Sequence, residues 1–179
     1  MNIKELCERY NKGEKFNYSF FWGENYENGF LSNWLPCEFI VNGVKYWCTE
    51  QYMMAKKAEL FGDSEIQAEI MVSKNQKEIK DLGRKVRNFN SELWDKNKVK
   101  IVYEGNLAKF GQNELLKSKL FNTSDRILVE ASPYDKIWGI GRSVRDGDVI
   151  KNPNNWCGEN LLGFLLMDVR EALKKGESK

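Results

Sequence analysis

A chain of 179 residues with 41% hydrophobic residues, 30% charged residues and only 3 prolines has the composition of one globular domain with a sizeable core. Its longest apolar run, Leu161 to Met167, is far too short to cross a bilayer, and a net charge of +2 with interleaved acids and bases gives no field that holds nucleic acid by phosphate neutralisation alone. The absence of histidine excludes Ser-His-Asp and Cys-His nucleophile pairs and His-ligated metals, so chemistry rests on carboxylates, lysines, tyrosines or cysteines.

The N-terminus, Met1 to Arg9, carries acids and bases where a signal peptide needs an apolar stretch, which points to a cytoplasmic chain. Residues Asn2 to Asn11 place Ile3, Leu6, Cys7 and Tyr10 at the spacing of a short amphipathic helix. The aromatic run Phe16 to Trp22 predicts a strand, and Gly23 to Asn33 an exposed polar loop. Glu38 to Val41 and Val44 to Trp47 flank Asn42-Gly43, the strongest short hairpin signal. Thr49 is the expected cap of a helix from Glu50 to about Leu60. Ser64 is the expected cap of a second, Glu65 to about Val72, and Ser73 of a third, about Asn75 to Gly83. Apolar spacing from Ser91 to Phe110 predicts a long helix, followed by a short one at Leu115 to Leu120. A strand at Arg126 to Glu130, a Gly- and Asn-rich loop from Ser132 to Glu159, a last helix from Asn160 to about Leu173 and a frayed polar tail, Lys174 to Lys179, complete the chain. With no alternating βαβ register, the pattern favours an α+β fold, mostly helical with a small hairpin sheet. The four cysteines are scattered without a C-x-x-C pair and read as reduced thiols rather than a zinc or redox site.

The helix Thr49 to Ala58 carries the sharpest chemical signal. Helical spacing aligns Glu50, Met53, Met54 and Lys57 on one face, with the charged ends roughly 10 Å apart along the axis. That gap suits two long side chains flanking a small substrate. A lysine in a partly apolar pocket, with a second cation at Lys56, can have its amine pKa lowered enough to attack a carbonyl carbon and form a Schiff base. The structural alternative is that Glu50 favours the first helical turn while both lysines are solvated.

The loop Ser132 to Arg142 brings Asp135, Trp138, Gly139, Gly141 and Arg142 together. Its glycines let backbone amides approach a phosphate, Arg142 supplies a cation and Trp138 a stacking face; the alternative is a turn anchored by a buried tryptophan. Asn160 reads as an N-cap whose helix terminus suits a phosphate, although most such caps only cap. Ser32 and Asn33, inside an aromatic frame, suit hydrogen bonds to sugar hydroxyls as well as a structural turn.

Taken together, Phe30 to Trp34, Thr49 to Ala58, Asp135 through Trp138 to Gly141 and Asn160 to Met167 resemble the NADAR superfamily, the YbiA-like proteins. The resemblance runs in order from about Phe20 to Leu173, with Leu82-Gly83-Arg84, Trp94 and Lys109-Phe110 in matching places. It divides the chain into an N-terminal helical extension at residues 1–15, the NADAR domain at 16–175 and a polar tail at 176–179. It implies an N-glycosidase, a hydrolase of N-glycosyl bonds that needs no cofactor and no metal. Its substrate is a small molecule or nucleotide carrying N-linked ribose phosphate or ADP-ribose. ADP-ribosyl-guanine, in nucleotides or in ADP-ribosylated DNA or RNA, is favoured, with an ADP-ribosyltransferase toxin as partner. Phosphoribosylamino intermediates of riboflavin biosynthesis are the second substrate class. By resemblance Lys57 is the Schiff-base lysine and Glu50 its acid/base partner, while Ser32, Asn33, Tyr52, Arg84, Asp135, Trp138, Gly139, Gly141 and Asn160 line the ribose and phosphate pocket. Some relatives have histidine where Gln51 stands, so Gln51 is not an essential base. A module that binds NAD or ADP-ribose without hydrolysis is the main alternative, and a Glu50/Asp135 carboxylate pair and a plain nucleic-acid-binding protein are further ones.

Overall fold

The computed structural model describes residues 1–177, and residues 178–179 of the expected tail lie outside the described residues. Within them the elements run α1 (Ile3–Asn11), β1 (Tyr18–Phe21), β2 (Phe39–Val41), β3 (Val44–Tyr46), α2 (Thr49–Leu60), α3 (Ser64–Val72), α4 (Gln76–Arg84), α5 (Ser91–Gly111), α6 (Glu114–Phe121), β4 (Ile127–Glu130) and α7 (Leu161–Glu177). The fold is α+β and mostly helical. The chain divides into two compact units, one of Met1–Ser32 with the chain from Leu115 onward, the other of Asn33–Glu114.

In the first unit β1 and β4 pair in parallel, Tyr18 opposite Ile127 through Phe21 opposite Glu130. The sequence signals both strands but not this pairing, because the partners stand more than a hundred residues apart and no local pattern announces them. Leu6 of α1, Ile127, Val129, Ala131, Ile140, Ile150 and Phe164 form the core of this unit, with Phe16, Tyr18 and Trp156 packed at its edge. α1 is therefore part of a core. Asn2 caps it by accepting the Glu5 amide at 2.9 Å.

α7 lies directly on β4 because position 163 is glycine. A β-carbon there would overlap the Leu128 carbonyl oxygen and approach Asn160 Oδ1 to 2.6 Å. Gly163→Ala is therefore expected to cost roughly 1–3 kcal/mol, the range for forcing extra volume into packed structure. Thermal unfolding checks this, and an unchanged midpoint would contradict the close approach. α7 continues to Glu177, so Lys174 to Glu177 are helical rather than a frayed tail. The loop expected from Ser132 to Glu159 also contains 3₁₀ turns at Val144–Lys151 and Pro153–Asn155.

In the second unit β2 and β3 form the expected hairpin, with Asn42 and Gly43 at φ of 50° and 78°, the positive values a two-residue I′ turn demands. α2 packs against α3, α4 and α5. Phe39, Tyr46 and Tyr52 make an aromatic cluster, the last two edge to face at 4.9 Å between ring centres. Three caps differ from expectation by one or two residues. Cys48 rather than Thr49 caps α2, Asp63 rather than Ser64 caps α3, and Asn75 rather than Ser73 caps α4. In two cases a better acceptor, a carboxylate or an amide, stands beside the hydroxyl chosen from sequence.

Candidate active site

In the second unit the face of α2 predicted to carry chemistry is held from several sides. Cys48 Sγ accepts the Gln51 amide at 3.4 Å, and the Glu50 amide donates to the Asn33 carbonyl at 2.9 Å. Gln51, buried, accepts the Trp47 amide through Oε1 at 2.7 Å. Its Nε2 donates to the Ile70, Met71 and Ser73 carbonyls at 3.0 to 3.2 Å, closing the end of α3. This side chain is a structural latch. Glu50 is only 4% exposed.

Lys57 is half-buried, not solvated. Its Nζ donates to the Gly83 carbonyl at 2.7 Å and stands over the Phe89 ring at 4.4 Å and the Trp94 ring at 5.7 Å. Gly83 favours this: a β-carbon there would overlap Met54 Sδ, so glycine lets α4 lie close against α2 without displacing the Met54 side chain, and its carbonyl meets the ammonium. Burial, and after it the charge of Arg84, hold the Lys57 pKa below the ordinary lysine value. The neighbouring cation that matters is Arg84 rather than Lys56, whose ammonium is paired with Glu59 at 2.7 Å. Arg84 is exposed and pairs with Asp81 at 2.8 Å.

Asn33 is 5% exposed, and its Oδ1 accepts from Asn106 Nδ2 of α5 at 3.1 Å, so its side chain ties α5 to the turn before the hairpin. Tyr52, expected to line a ligand pocket, is 1% exposed, and its hydroxyl donates to Glu104 at 3.3 Å. Burial raises its pKa. Within this unit it is a core residue that α5 approaches at Gly105, where a β-carbon would come within 2.6 Å of the tyrosine ring.

The remaining expected residues fall in the first unit. Ser32 is 5% exposed, at the end of a 3₁₀ turn, Gly29–Leu31, where an open loop was expected. Asp135 Oδ1 accepts the amides of Ile137 at 2.9 Å and Trp138 at 2.8 Å, an Asx turn that sets the half-buried Trp138. Gly139 runs beside β4, where a β-carbon would lie 2.8 Å from the Glu130 carbonyl, and Gly141 has a φ of 62°. Arg142 donates to the Asn155 carbonyl at 3.1 Å. Asn160 is fully buried and does not cap α7 in the expected way. Its Oδ1 accepts the Glu130 amide and its Nδ2 donates to the Leu128 carbonyl, both at 2.9 Å, so it clamps β4 from a left-handed conformation.

Sequence reasoning assigned no chemical place to Phe89 or Lys109. Phe89 lies in a polar turn, where a lone aromatic has no periodic signal. Lys109 is entirely buried in α5, and burial pushes its amine down to about 7. The Cys48 thiol, pushed up to about 11 by burial, feels both the Glu50 carboxylate and the Lys109 amine. The available signal was a lysine in helical register with the apolar Val102 and one turn from Gly105 and Asn106.

The NADAR domain family matches residues 20–174. The chain belongs to the NADAR family. Over 166 residues it is 47% identical to N-glycosidase R617 of Acanthamoeba polyphaga mimivirus, covering 88% of this chain and 97% of that one. It is 30% identical over 156 residues to Riboflavin biosynthesis protein VVA0006 of Vibrio vulnificus, covering 87% of this chain but 38% of that longer protein. Among solved structures, the NMR structure of the E. coli protein YbiA is similar at a TM-score of 0.76 and 25% identity, covering 93% of this chain and 90% of that one. The α+β, mostly helical architecture is thus the NADAR fold. Among the described residues of this NADAR chain no helix is long and apolar enough to cross a membrane.

Proposed function

We propose that this chain opens and hydrolyses N-glycosyl bonds through an imine on Lys57, with Glu50 moving protons. The enzyme class, a hydrolase of N-glycosyl bonds acting on a nucleotide-like small molecule, is supported by relatives such as N-glycosidase R617. The observation that carries the mechanism is the state of Lys57: half-buried among aromatic rings, with its pKa held down, on the same helix as a buried carboxylate.

The chemistry balances without a further reactant. The N-glycoside opens as the ring oxygen takes a proton, leaving an imine at the anomeric carbon. The neutral Lys57 amine adds there, the base or amine nitrogen takes a proton and departs, and a lysine imine of the open sugar remains. Water adds to that carbon and returns the free sugar and the lysine amine. Glu50 supplies and recovers the protons. Arg84 is proposed as a phosphate contact and Asn33 as a sugar contact beside this face. Tyr52 and Asn160, engaged as they are, serve by positioning the backbone around them. In the first unit, taken by itself, Ser32 and the loop bearing Asp135, Trp138, Gly139 and Gly141 are proposed to hold sugar or phosphate oxygens.

The favoured substrate carries ADP-ribose on guanine, in a nucleotide or a nucleic acid, which makes an ADP-ribosyltransferase toxin the natural partner. The second reading, a phosphoribosylamino intermediate of riboflavin biosynthesis, is supported by the likeness to VVA0006. Turnover of ADP-ribosyl-guanosine and of a phosphoribosylamino pyrimidine, followed by release of base or amine, tests both. Larger kcat/KM on the first supports the favoured reading, larger kcat/KM on the second reverses it, and unaltered ligand in both leaves a binding module.

The pH dependence follows from the amine. Only neutral Lys57 attacks, so kcat/KM rises with pH until its pKa is passed, and a lowered pKa puts that limb below the ordinary lysine range. Arg84→Gln removes a cation that favours the neutral amine and is expected to move the limb to higher pH. A limb that stays in place in the variant would contradict this role of Arg84.

A further inference from the structure

The first unit contains a hollow of about 330 Å³ lined by Asn28, Phe30, Lys119, Asn122, Thr123 and Arg126. It includes two cations and no carboxylate. Both side chains are exposed. Among the described residues, Lys119 has a ring contact with Phe30, its Nζ 6.0 Å from the ring centre, and neither cation has a carboxylate within ion-pair distance. Two cations without a carboxylate partner in one concavity mark a place prepared for an anion.

The hollow is also built from beneath. Arg170 of α7, 3% exposed, donates through Nη1 to Thr123 Oγ1 at 2.7 Å and to the Arg126 carbonyl at 3.2 Å. Thr123 in turn donates to the Leu120 carbonyl at 2.6 Å, which fixes the turn after α6 that presents Asn122 and Arg126. Asn28, held in a left-handed conformation, donates to the Phe20 carbonyl at 3.0 Å, which sets one wall. The acids acting on Arg170, Glu171 and Asp125, do not line the hollow. Two exposed cations, two side-chain amides and an aromatic ring form the pattern that receives a phosphate beside a flat base.

We propose that this hollow is a second binding site, for a phosphate group carried by a nucleotide or by a single-stranded nucleic acid, with Lys119 and Arg126 as its cations and Phe30 as its apolar wall. It stands apart from the roles given to Lys57 and Glu50 and does not depend on them.

The test is binding, so it is read without turnover. Fluorescence anisotropy of a labelled single-stranded oligonucleotide, with adenosine monophosphate as competitor, is measured over a salt series in the parent and in Lys119→Ala/Arg126→Ala. Both cations are exposed and make no ion pair, so the variant keeps its fold, which its thermal midpoint verifies. Binding to the strand is expected to weaken, and the slope of log K against log salt to fall by about 1.4, from roughly 0.7 per cation on a single strand. Loss for the oligonucleotide alone identifies a strand phosphate, and loss for the mononucleotide as well identifies a free nucleotide. The exchange Lys119→Arg/Arg126→Lys is expected to retain binding. Equal affinity and equal salt slope in parent and double alanine variant, or no binding by the parent, would overturn the proposal. Turnover of a small N-glycoside by the same variant is expected to be unchanged. Failure of the glycosidase reading therefore appears in a different assay from failure of this one.

Discussion

Lys57→Ala is expected to lower turnover of the N-glycoside substrate by on the order of 10³-fold or more, the loss typical when a covalent nucleophile is deleted. The reason is specific to the amine. Its nitrogen forms the bond to the anomeric carbon, and water at the same place is a poorer nucleophile that must be deprotonated as it attacks. Lys57→Arg separates this role from simple charge. Arginine keeps the cation over Phe89 and Trp94 but stays protonated and forms no imine, so it is expected to be as inactive as alanine. The fold survives either change. Alanine removes a hydrogen bond to the Gly83 carbonyl and the attraction of the ammonium to two rings, together about 2–4 kcal/mol, and arginine keeps the cation. Parallel measurement of thermal midpoint and kcat reads the two effects apart, and activity near the parental value in Lys57→Ala would remove the lysine from the mechanism.

Glu50→Gln is expected to lower kcat by about 10²–10⁴-fold, the usual contribution of general acid-base catalysis. The substitution keeps the shape of a side chain that is 4% exposed, and the backbone hydrogen bond from position 50 to the Asn33 carbonyl is unaffected. The amide exchanges no proton with the departing nitrogen or the attacking water, so kcat is expected to fall more than KM changes. A binding module predicts the opposite: affinity for ADP-ribose little altered and no turnover in either form. A variant with parental kcat would show that the carboxylate serves packing alone.

The periodic elements were legible in the sequence for a simple reason. The hairpin around Asn42-Gly43 needs two positive φ angles that those residues supply, and α2 and α5 follow from local spacing and neighbouring caps. Pairing of β1 with β4 was not legible, since it depends on residues more than a hundred positions apart. The alignment of Glu50 with Lys57 was visible as helical spacing, but the surroundings of Lys57 were not. Its hydrogen-bond acceptor comes from Gly83 of another helix, its rings from Phe89 and Trp94, and its neighbouring charge from Arg84 rather than adjacent Lys56. The partners of Tyr52 and Asn160 were likewise not legible, since their hydrogen bonds go to Glu104 of another helix and to the β4 backbone.

Borohydride trapping tests the central claim most directly. The protein is incubated with ADP-ribose, and separately with ribose 5-phosphate, reduced with borohydride and digested, and the adduct is located by peptide mass spectrometry. The imine mechanism predicts a reduced sugar adduct confined to Lys57 and absent in Lys57→Arg, with the stronger yield marking the preferred sugar. No adduct at Lys57 with either sugar, or adducts spread over exposed lysines with equal yield in the variant, would contradict it.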